Sequence, residues 1–207
     1  MTPPIATCGG LLAIGLLSFP GCGSGPSRVK APDVDPEETA EALIEQYDTD
    51  GDGSIGSEEL ASCPAIRGQL SAYDRDRDNS VRPEEIAERL SELYSDRVGM
   101  FSIYARVTLK RRPLAGATVE LIPEEGLTEA INSASGVTDA RGATPLSMPE
   151  EAMPADLRGL IRGVQTGLYR VRITHPTVKL PAGVSDGTSL GVELTPSRAE
   201  AGLRFDL

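Results

Sequence analysis

Two twelve-residue segments of the chain place acidic side chains at the same alternating positions. The first segment runs from Asp48 to Glu59. Its candidate ligands are Asp48, Asp50 and Asp52 at positions 1, 3 and 5, the backbone carbonyl of Ser54 at position 7, and Glu59 at position 12. Gly53 at position 6 allows the sharp turn that a closed loop needs. Because every ligand is an oxygen, the chemistry expected here is the binding of a hard divalent cation.

The second segment, Asp74 to Glu85, repeats this arrangement with two changes. Its candidate ligands are Asp74, Asp76, Asp78, the backbone carbonyl of Ser80, and Glu85. Asn79 replaces glycine at position 6, which costs some stability because a side chain disfavours the left-handed conformation. Three positive charges also lie in the segment, on Arg75, Arg77 and Arg82. We therefore expect the second segment to bind its cation more weakly than the first.

The similarity of the two segments extends beyond the ligands. Ile55 and Val81 both occupy position 8, and Tyr47 and Tyr73 both precede position 1. The alternative, an acidic and solvated loop region, does not explain these matches. The pattern resembles a pair of EF hands, which implies two bound Ca²⁺ ions and a short β-bridge between the two position-8 residues.

Helices are expected around both segments, so that residues 37–97 form the helical pair. The predicted helices are Pro36–Tyr47, Ser57–Ser62, one that begins at Pro64 and carries Ile66, Leu70 and Tyr73, and Glu84–Arg97. The loops begin only 26 residues apart, and none of the four methionines lies in this region. Both features argue against a wide, methionine-rich groove for a target helix. Cys63 is expected to be a buried packing residue.

Residues 100–207 have the pattern of short strands separated by turns. The predicted strands are Phe101–Leu109, Thr118–Ile122, Ala143–Met148, Leu168–His175, Leu190–Thr195 and Leu203–Leu207. Pro149–Gln165 is expected to be a long loop with a helical turn at Asp156–Ile161. The predicted fold class is therefore α+β and multidomain, with an α-helical EF-hand pair followed by an all-β antiparallel sandwich.

Three short motifs in this second half resemble a known family. They are PLAGATV at residues 113–119, VTDARG at residues 137–142 and GLYRVRI at residues 167–173. Together they are similar to the carboxypeptidase regulatory-like, or transthyretin-like, β-sandwich domains. The whole arrangement resembles bacterial envelope lipoproteins that join an EF-hand pair to such a sandwich. This resemblance implies an interaction module and no established activity.

The N-terminus has the pattern of a targeting segment. Leu11–Phe19 is a nine-residue apolar run, too short to cross a bilayer as a helix, and Cys22 follows it closely. Residues 1–21 are predicted to be a signal peptide, Cys22 a lipidation site, and residues 22–36 a flexible tether. The protein would then be secreted across the inner membrane and held in the cell envelope by a lipid anchor. An ordinary secretory signal, or an apolar tail included by a wrong start codon, are the alternatives.

The distribution of charge and of histidine excludes some function classes. The chain has a formal net charge of −11, and the 11 acidic residues from Asp33 to Glu59 are not interrupted by lysine or arginine. Nucleic acid is therefore not an expected partner, because phosphate contacts need clustered basic residues. His175 is the only histidine, so metal sites with two histidine ligands are excluded. The protein is not expected to be an enzyme.

Three functions remain open from the sequence. The first is a non-enzymatic calcium-binding envelope protein in which calcium is structural and the sandwich contacts other molecules. The second is a calcium-responsive regulator that binds a protein or cell-wall partner. The third, which the sequence favours least, is an enzyme with an unrecognised carboxylate site.

Overall fold

A computed structural model describes residues 29–207. The predicted signal peptide, Cys22 and the first part of the predicted tether lie outside the described residues. Residues 29–35 form neither helix nor strand, and Val34 packs against the hydrophobic core. Within residues 29–207, no helix is long and apolar enough to cross a membrane.

The helical region confirms the predicted order of helices and corrects several of their bounds. The observed helices are α1 (Pro36–Tyr47), α2 (Pro64–Arg67), α3 (Leu70–Tyr73) and α4 (Pro83–Tyr94), with a 3-10 turn at Glu59–Ala61. The helix expected from Pro64 is broken at Gln69, whose φ of −134° and ψ of 25° leave the helical region. The last helix ends before Arg97, which adopts a positive φ of 50°. The helix predicted at Ser57–Ser62 is only the 3-10 turn.

The two longest helices pack against each other on their apolar faces. Asp35 caps α1, because its carboxylate accepts the backbone N–H of Glu38 at 3.0 Å. Leu43 of α1 is fully buried, as are Ile86 and Leu90 of α4. Burial of each of these side chains contributes about 1.5–3 kcal/mol to folding. This pair of helices fixes where the two acidic loops begin and end.

The second half of the chain forms two four-stranded sheets. The strands are β1 (Ile103–Leu109), β2 (Arg112–Pro113), β3 (Thr118–Pro123), β4 (Ala134–Val137), β5 (Ala143–Leu146), β6 (Gly167–Thr174), β7 (Gly191–Leu194) and β8 (Leu203–Asp206). In one sheet β1 pairs with β2, β5 and β8, and the other has the order β4-β3-β6-β7. Alternate residues of β1 and β3 are buried, as expected for sheets that cover one core. The predicted α+β fold is confirmed.

Three features of the second half of the chain differ from the sequence-based predictions. The pairing of β8 with β1 is parallel, with Ala105 opposite Leu203, whereas all other strand pairs are antiparallel. The strands β2 and β4 were missed because they are short and poor in β-formers; β4 has the sequence ASGV. The segment Asp156–Ile161, expected to be a helical turn, is a hydrogen-bonded turn and not a regular helix: the backbone N–H groups of Leu160 and Ile161 donate to the carbonyl of Leu157. A 3-10 turn lies at Glu150–Ala152. Gly159, with φ of 71°, is incompatible with a helix through that segment.

The helices and the sheets share one hydrophobic cluster. Helix α2 lies against strands β6 and β7, and its residues Ala65 and Ile66 are fully buried. Gly191 of β7 permits this approach, since a Cβ atom there would lie 2.2 Å from the backbone nitrogen of Ala65. The acidic loops are therefore held by helices that pack directly on the sandwich.

Candidate metal centre

The first acidic loop follows α1 directly and gathers three carboxylates. Oxygen atoms of Asp48, Asp50 and Asp52 lie within 4.8 Å of one another. The loop turns at Gly51 and Gly53, whose φ angles are 77° and 87°. These angles suit glycine because it has no Cβ atom to clash. The spacing of the three carboxylates is suitable for ligands of a single cation.

Backbone hydrogen bonds orient these carboxylates. Both oxygens of Asp48 accept backbone N–H groups, Oδ1 from Gly51 at 2.7 Å and Oδ2 from Gly53 at 2.9 Å. In Asp50 and Asp52 only Oδ1 accepts such bonds, from the backbone N–H groups of Asp52 at 3.1 Å and Ser54 at 2.8 Å. The Ser54 hydroxyl also donates to Oδ1 of Asp52 at 2.9 Å. Within the described residues, the Oδ2 atoms of Asp50 and Asp52 have no hydrogen-bond donor and remain available to a cation.

Glu59, the predicted ligand at position 12, accepts hydrogen bonds from backbone groups near both ends of the loop. Its Oε1 accepts the backbone N–H of Thr49 at 2.5 Å, and its Oε2 accepts that of Gly56 at 2.8 Å. These bonds, first that from Gly56, lower the pKa of Glu59. Glu59 does not join the 4.8 Å group of carboxylate oxygens, so the structure brings together the three aspartates and holds Glu59 beside them.

Within residues 29–207, no lysine or arginine forms an ion pair with the first-loop carboxylates, which therefore repel one another. For Asp50, the hydrogen bond from Asp52 lowers the pKa, but desolvation and the charges of Asp52, Glu59 and Asp48 together raise it above its usual value. The donor set therefore fits a divalent cation, because such an ion would relieve this repulsion and complete the coordination of the free oxygens.

The second loop lies between α3 and α4 and repeats much of this hydrogen bonding. Oxygen atoms of Asp74, Asp76 and Asp78 again lie within 4.8 Å of one another. Both oxygens of Asp74 accept backbone N–H groups, from Asp78 and Asn79, each at 3.1 Å. Oδ1 of Asp76 accepts the N–H of Asp78 at 3.2 Å. Asp74 is buried, whereas the other two aspartates are exposed.

The remaining predicted residues of the second loop occupy the places of their first-loop equivalents. Ser80 donates its backbone N–H and hydroxyl to Oδ1 of Asp78, at 2.9 and 2.8 Å. Glu85 accepts the backbone N–H groups of Arg75 and Arg82, both at 2.9 Å. Glu85, like Glu59, lies outside the 4.8 Å group.

The two loops meet at position 8, as the sequence predicts. Ile55 and Val81 form an antiparallel bridge with N···O distances of 2.9 and 3.1 Å, and both side chains are fully buried. This bridge joins the backbones of the two loops.

The second loop carries more backbone strain than the first. Asn79 adopts a φ of 68° at position 6, as expected, and Arg77 adopts a φ of 64° at position 4. The strain at Arg77 was not predicted, although Gly51 at the same position of the first loop is a signal for it. Left-handed conformation costs a residue with a side chain about 1–2 kcal/mol, less for asparagine.

The tyrosines that precede the loops connect both of them to the sandwich. The hydroxyl of Tyr47 donates to Oε2 of buried Glu124 at 2.6 Å, and that of Tyr73 donates to Oε2 of buried Glu193 at 2.9 Å. Arg89 of α4 also pairs with Glu193, at 2.6 and 3.1 Å. The sequence contains only weak indications of these tyrosine–glutamate contacts. They are a glutamate within the apolar strand β7 and the equivalent positions of the two tyrosines before the loops.

A buried polar cluster surrounds the first of these contacts. Glu124 is fully buried, its Oε1 has no hydrogen-bond partner, and Arg170 Nε lies 3.4 Å from its Oε2. Desolvation raises the pKa of Glu124. Cys63 is free and fully buried, as the sequence predicts, and desolvation raises the pKa of its thiol to about 12. The thiol is therefore a packing group and not a reactive one.

Comparison with known proteins gives independent support for the similarity of the first loop to an EF hand. A family model described as EF hand matches residues 40–64, which span the end of α1, the whole first loop and the start of α2. The chain is thus similar to an EF hand over this part of its length. No curated protein and no solved structure matches the chain. Together with the two acidic clusters, this match supports calcium as the ligand of the chain.

Proposed function

We propose that the protein is a non-enzymatic calcium-binding protein of the cell envelope, in which bound calcium has a structural role. One observation carries the proposal. In the loop that is similar to an EF hand, Asp50 and Asp52 each direct one oxygen to the backbone and leave the other free beside Asp48. Calcium bound there would hold the end of α1 and the start of the 3-10 turn in fixed positions.

A structural role for calcium is supported by the burial of the apolar surface of the helical pair. Calcium sensors open on binding and expose an apolar groove to a target. Here the corresponding apolar surface, including Leu60, Ala65 and Ile66, is buried, and α2 lies against β6 and β7. The sandwich of the same chain therefore occupies the place where a target would bind.

The sandwich itself is the proposed interaction module. An open groove of about 630 Å³ runs beside the N-terminal end of β1. Among its lining residues, Tyr104 is 60% exposed and Leu160 is 76% exposed. Exposed apolar side chains around a groove are typical of surfaces that contact another molecule. The groove supports a contact surface on the sandwich, which is required both by a structural calcium protein with an interaction module and by the second candidate function, a calcium-responsive regulator of a protein or cell-wall partner.

Cys22 would carry the lipid anchor, and both acidic loops would bind Ca²⁺. Labelling with palmitate in a bacterial host tests the anchor. Label should be lost in Cys22→Ser and kept in the matched Cys8→Ser variant; label in both variants would contradict the proposed anchor.

Thermal unfolding in calcium and in chelator tests the structural role. Calcium should raise the melting temperature of the wild type and of Glu58→Gln, whose side chain is exposed and is not a predicted ligand. Glu59→Gln should lose most of that increase. Binding of the dye ANS should not increase with calcium, and an increase would favour the regulator over the structural role.

A further inference from the structure

The two acidic loops differ in charge at position 9. The first loop has Gly56 there, and the second has Arg82. The guanidinium of Arg82 contacts two of the predicted ligands, with Nη1 2.7 Å from Oδ2 of Asp76 and Nη2 2.5 Å from Oδ2 of Asp78. The two nitrogens of one planar group thus bridge the carboxylates at positions 3 and 5.

The oxygens that Arg82 contacts are the ones that the backbone leaves free. In both loops, Oδ1 of the position-3 and position-5 aspartates accepts backbone N–H groups. In the first loop the corresponding Oδ2 atoms have no donor within the described residues. In the second loop Arg82 takes both of them. The arginine therefore occupies the two atoms that a cation would need.

The other two arginines of the loop do not make this contact. Arg75 pairs with Glu88 at 3.3 Å and Glu92 at 2.6 Å, both on α4. Arg77 has no ion pair within the described residues, although it carries the same charge in the same loop. Arg77 therefore provides an internal comparison for the effect of charge alone.

The balance of charge also differs between the two loops. Ser80 donates two hydrogen bonds to Asp78, and the guanidinium of Arg82 places a positive charge against the same carboxylate. In the part of the chain that the structure describes, no basic side chain forms an ion pair with Asp52, the equivalent aspartate of the first loop. The second loop therefore has its repulsion relieved without a metal ion.

We propose that Arg82 is a built-in counter-ion of the second loop, which competes with calcium for Asp76 and Asp78. This inference rests on the proposed calcium function and adds the residue that makes the two loops unequal. The first loop needs an external cation to balance its carboxylates. The second loop keeps its fold without calcium and, through the Ile55–Val81 bridge, holds the first loop ready for the ion.

Calorimetric titration of the full chain with calcium chloride tests the competition directly. The background variant is Glu59→Gln, which disables the first loop and leaves the second to be measured. Arg82→Met is compared with Arg77→Met in this background, because both remove one positive charge and neither adds an oxygen ligand. Arg82→Met should bind calcium about tenfold more tightly than the background, and Arg77→Met should differ from it by less than about threefold.

A second measurement uses the same variants without depending on metal affinity. In chelator, Arg82→Met should have a lower urea midpoint than its parent, because the two carboxylates then repel each other. In calcium the order should reverse. Arg77→Met should show no such reversal, because the Arg77 side chain has no hydrogen bond or ion pair with the predicted ligands within the described residues.

The possible results distinguish failure of the proposed Arg82 role from failure of the proposed calcium binding. Equal gains in Arg82→Met and Arg77→Met, or no gain in either, would overturn the role of Arg82. Absence of calcium binding by the wild-type chain would overturn the proposed function instead. A lower midpoint of Arg82→Met in both chelator and calcium would also contradict the competition.

Discussion

The hydroxyl group of Tyr47 donates a 2.6 Å hydrogen bond to the buried carboxylate of Glu124, and this bond joins the residue before the first acidic loop to the β-sandwich. Tyr73 and Glu193 repeat the arrangement for the second loop at 2.9 Å. Each loop therefore begins one residue after a side chain that is fixed by the other half of the chain. This double contact makes the helical pair and the sandwich mutually dependent for stability.

Replacement of the two tyrosines should have unequal effects on stability. Within the described residues, Tyr47→Phe removes the one hydrogen bond that the carboxylate of Glu124 accepts, so we expect a loss of about 2–3 kcal/mol in the free energy of unfolding. Tyr73→Phe should cost less, about 0.5–1.5 kcal/mol, because Arg89 still pairs with Glu193. Urea denaturation measures both. Tyr104→Phe, at an exposed tyrosine, is the control and should change stability little. Equal losses in all three variants would contradict a stabilising role for the two buried tyrosine–glutamate hydrogen bonds.

The stability of the protein should contain a pH-dependent contribution from Glu124. Burial raises the pKa of this carboxyl group in the folded state above its unfolded value. The folded protein therefore holds the proton more tightly, and the contribution is complete below the unfolded pKa and is lost as pH rises through the folded pKa. Glu124→Gln lacks this titration, so its stability relative to wild type should increase as pH rises.

Chemical denaturation across the mildly acidic to neutral range checks this trend. The matched variant is Glu125→Gln, which removes an exposed carboxylate at the next position. Its stability relative to wild type should change little with pH. A Glu124→Gln difference that is flat, or that falls as pH rises, would show that the burial of Glu124 does not govern the trend.

Glycine in the second loop should relieve backbone strain. We expect Arg77→Gly to stabilise the protein in chelator by about 1 kcal/mol, because glycine adopts a positive φ without a steric penalty. Asn79→Gly should stabilise by less, since asparagine already tolerates this conformation. Denaturation midpoints of the two variants provide the comparison. Destabilisation by Arg77→Gly would mean that its side chain makes a favourable contact that outweighs the strain.

The close approach of β7 to α2 should not tolerate a methyl group. A Cβ atom at Gly191 would lie 2.2 Å from the backbone nitrogen of Ala65, so we expect Gly191→Ala to cost about 1–3 kcal/mol. Gly56→Ala is a suitable control in chelator, because its Cβ would meet only Glu59 Oε2, at 3.6 Å. Similar stability of the two variants would contradict direct packing of the helical pair on the sandwich.

The features of the candidate site that sequence could predict are those that depend on local spacing. The positions of the aspartates, the turn at Gly53 and the Ile55–Val81 bridge all follow from a twelve-residue pattern that occurs twice. Most strands of the sandwich follow from alternation and from glycine and proline turns. Helix α1 was predicted with its observed bounds because Pro36 and the apolar spacing mark it clearly.

The features that sequence could not predict depend on contacts between distant segments. The helix from Pro64 breaks at Gln69 where α2 lies on β7, and no local signal fixes that contact. The parallel pairing of β8 with β1 depends on the path of the whole chain. Arg82 was recognised only as a positive charge, because its reach to Asp76 and Asp78 depends on how the loop folds.

Direct calorimetric titration of the full chain with calcium tests the central claim, which is that the Asp48–Glu59 loop binds the ion. The wild type and the Glu58→Gln control should both bind calcium at this loop, and Glu59→Gln should lose that binding event. Unchanged calcium binding in Glu59→Gln, or no binding by the wild type, would contradict the claim.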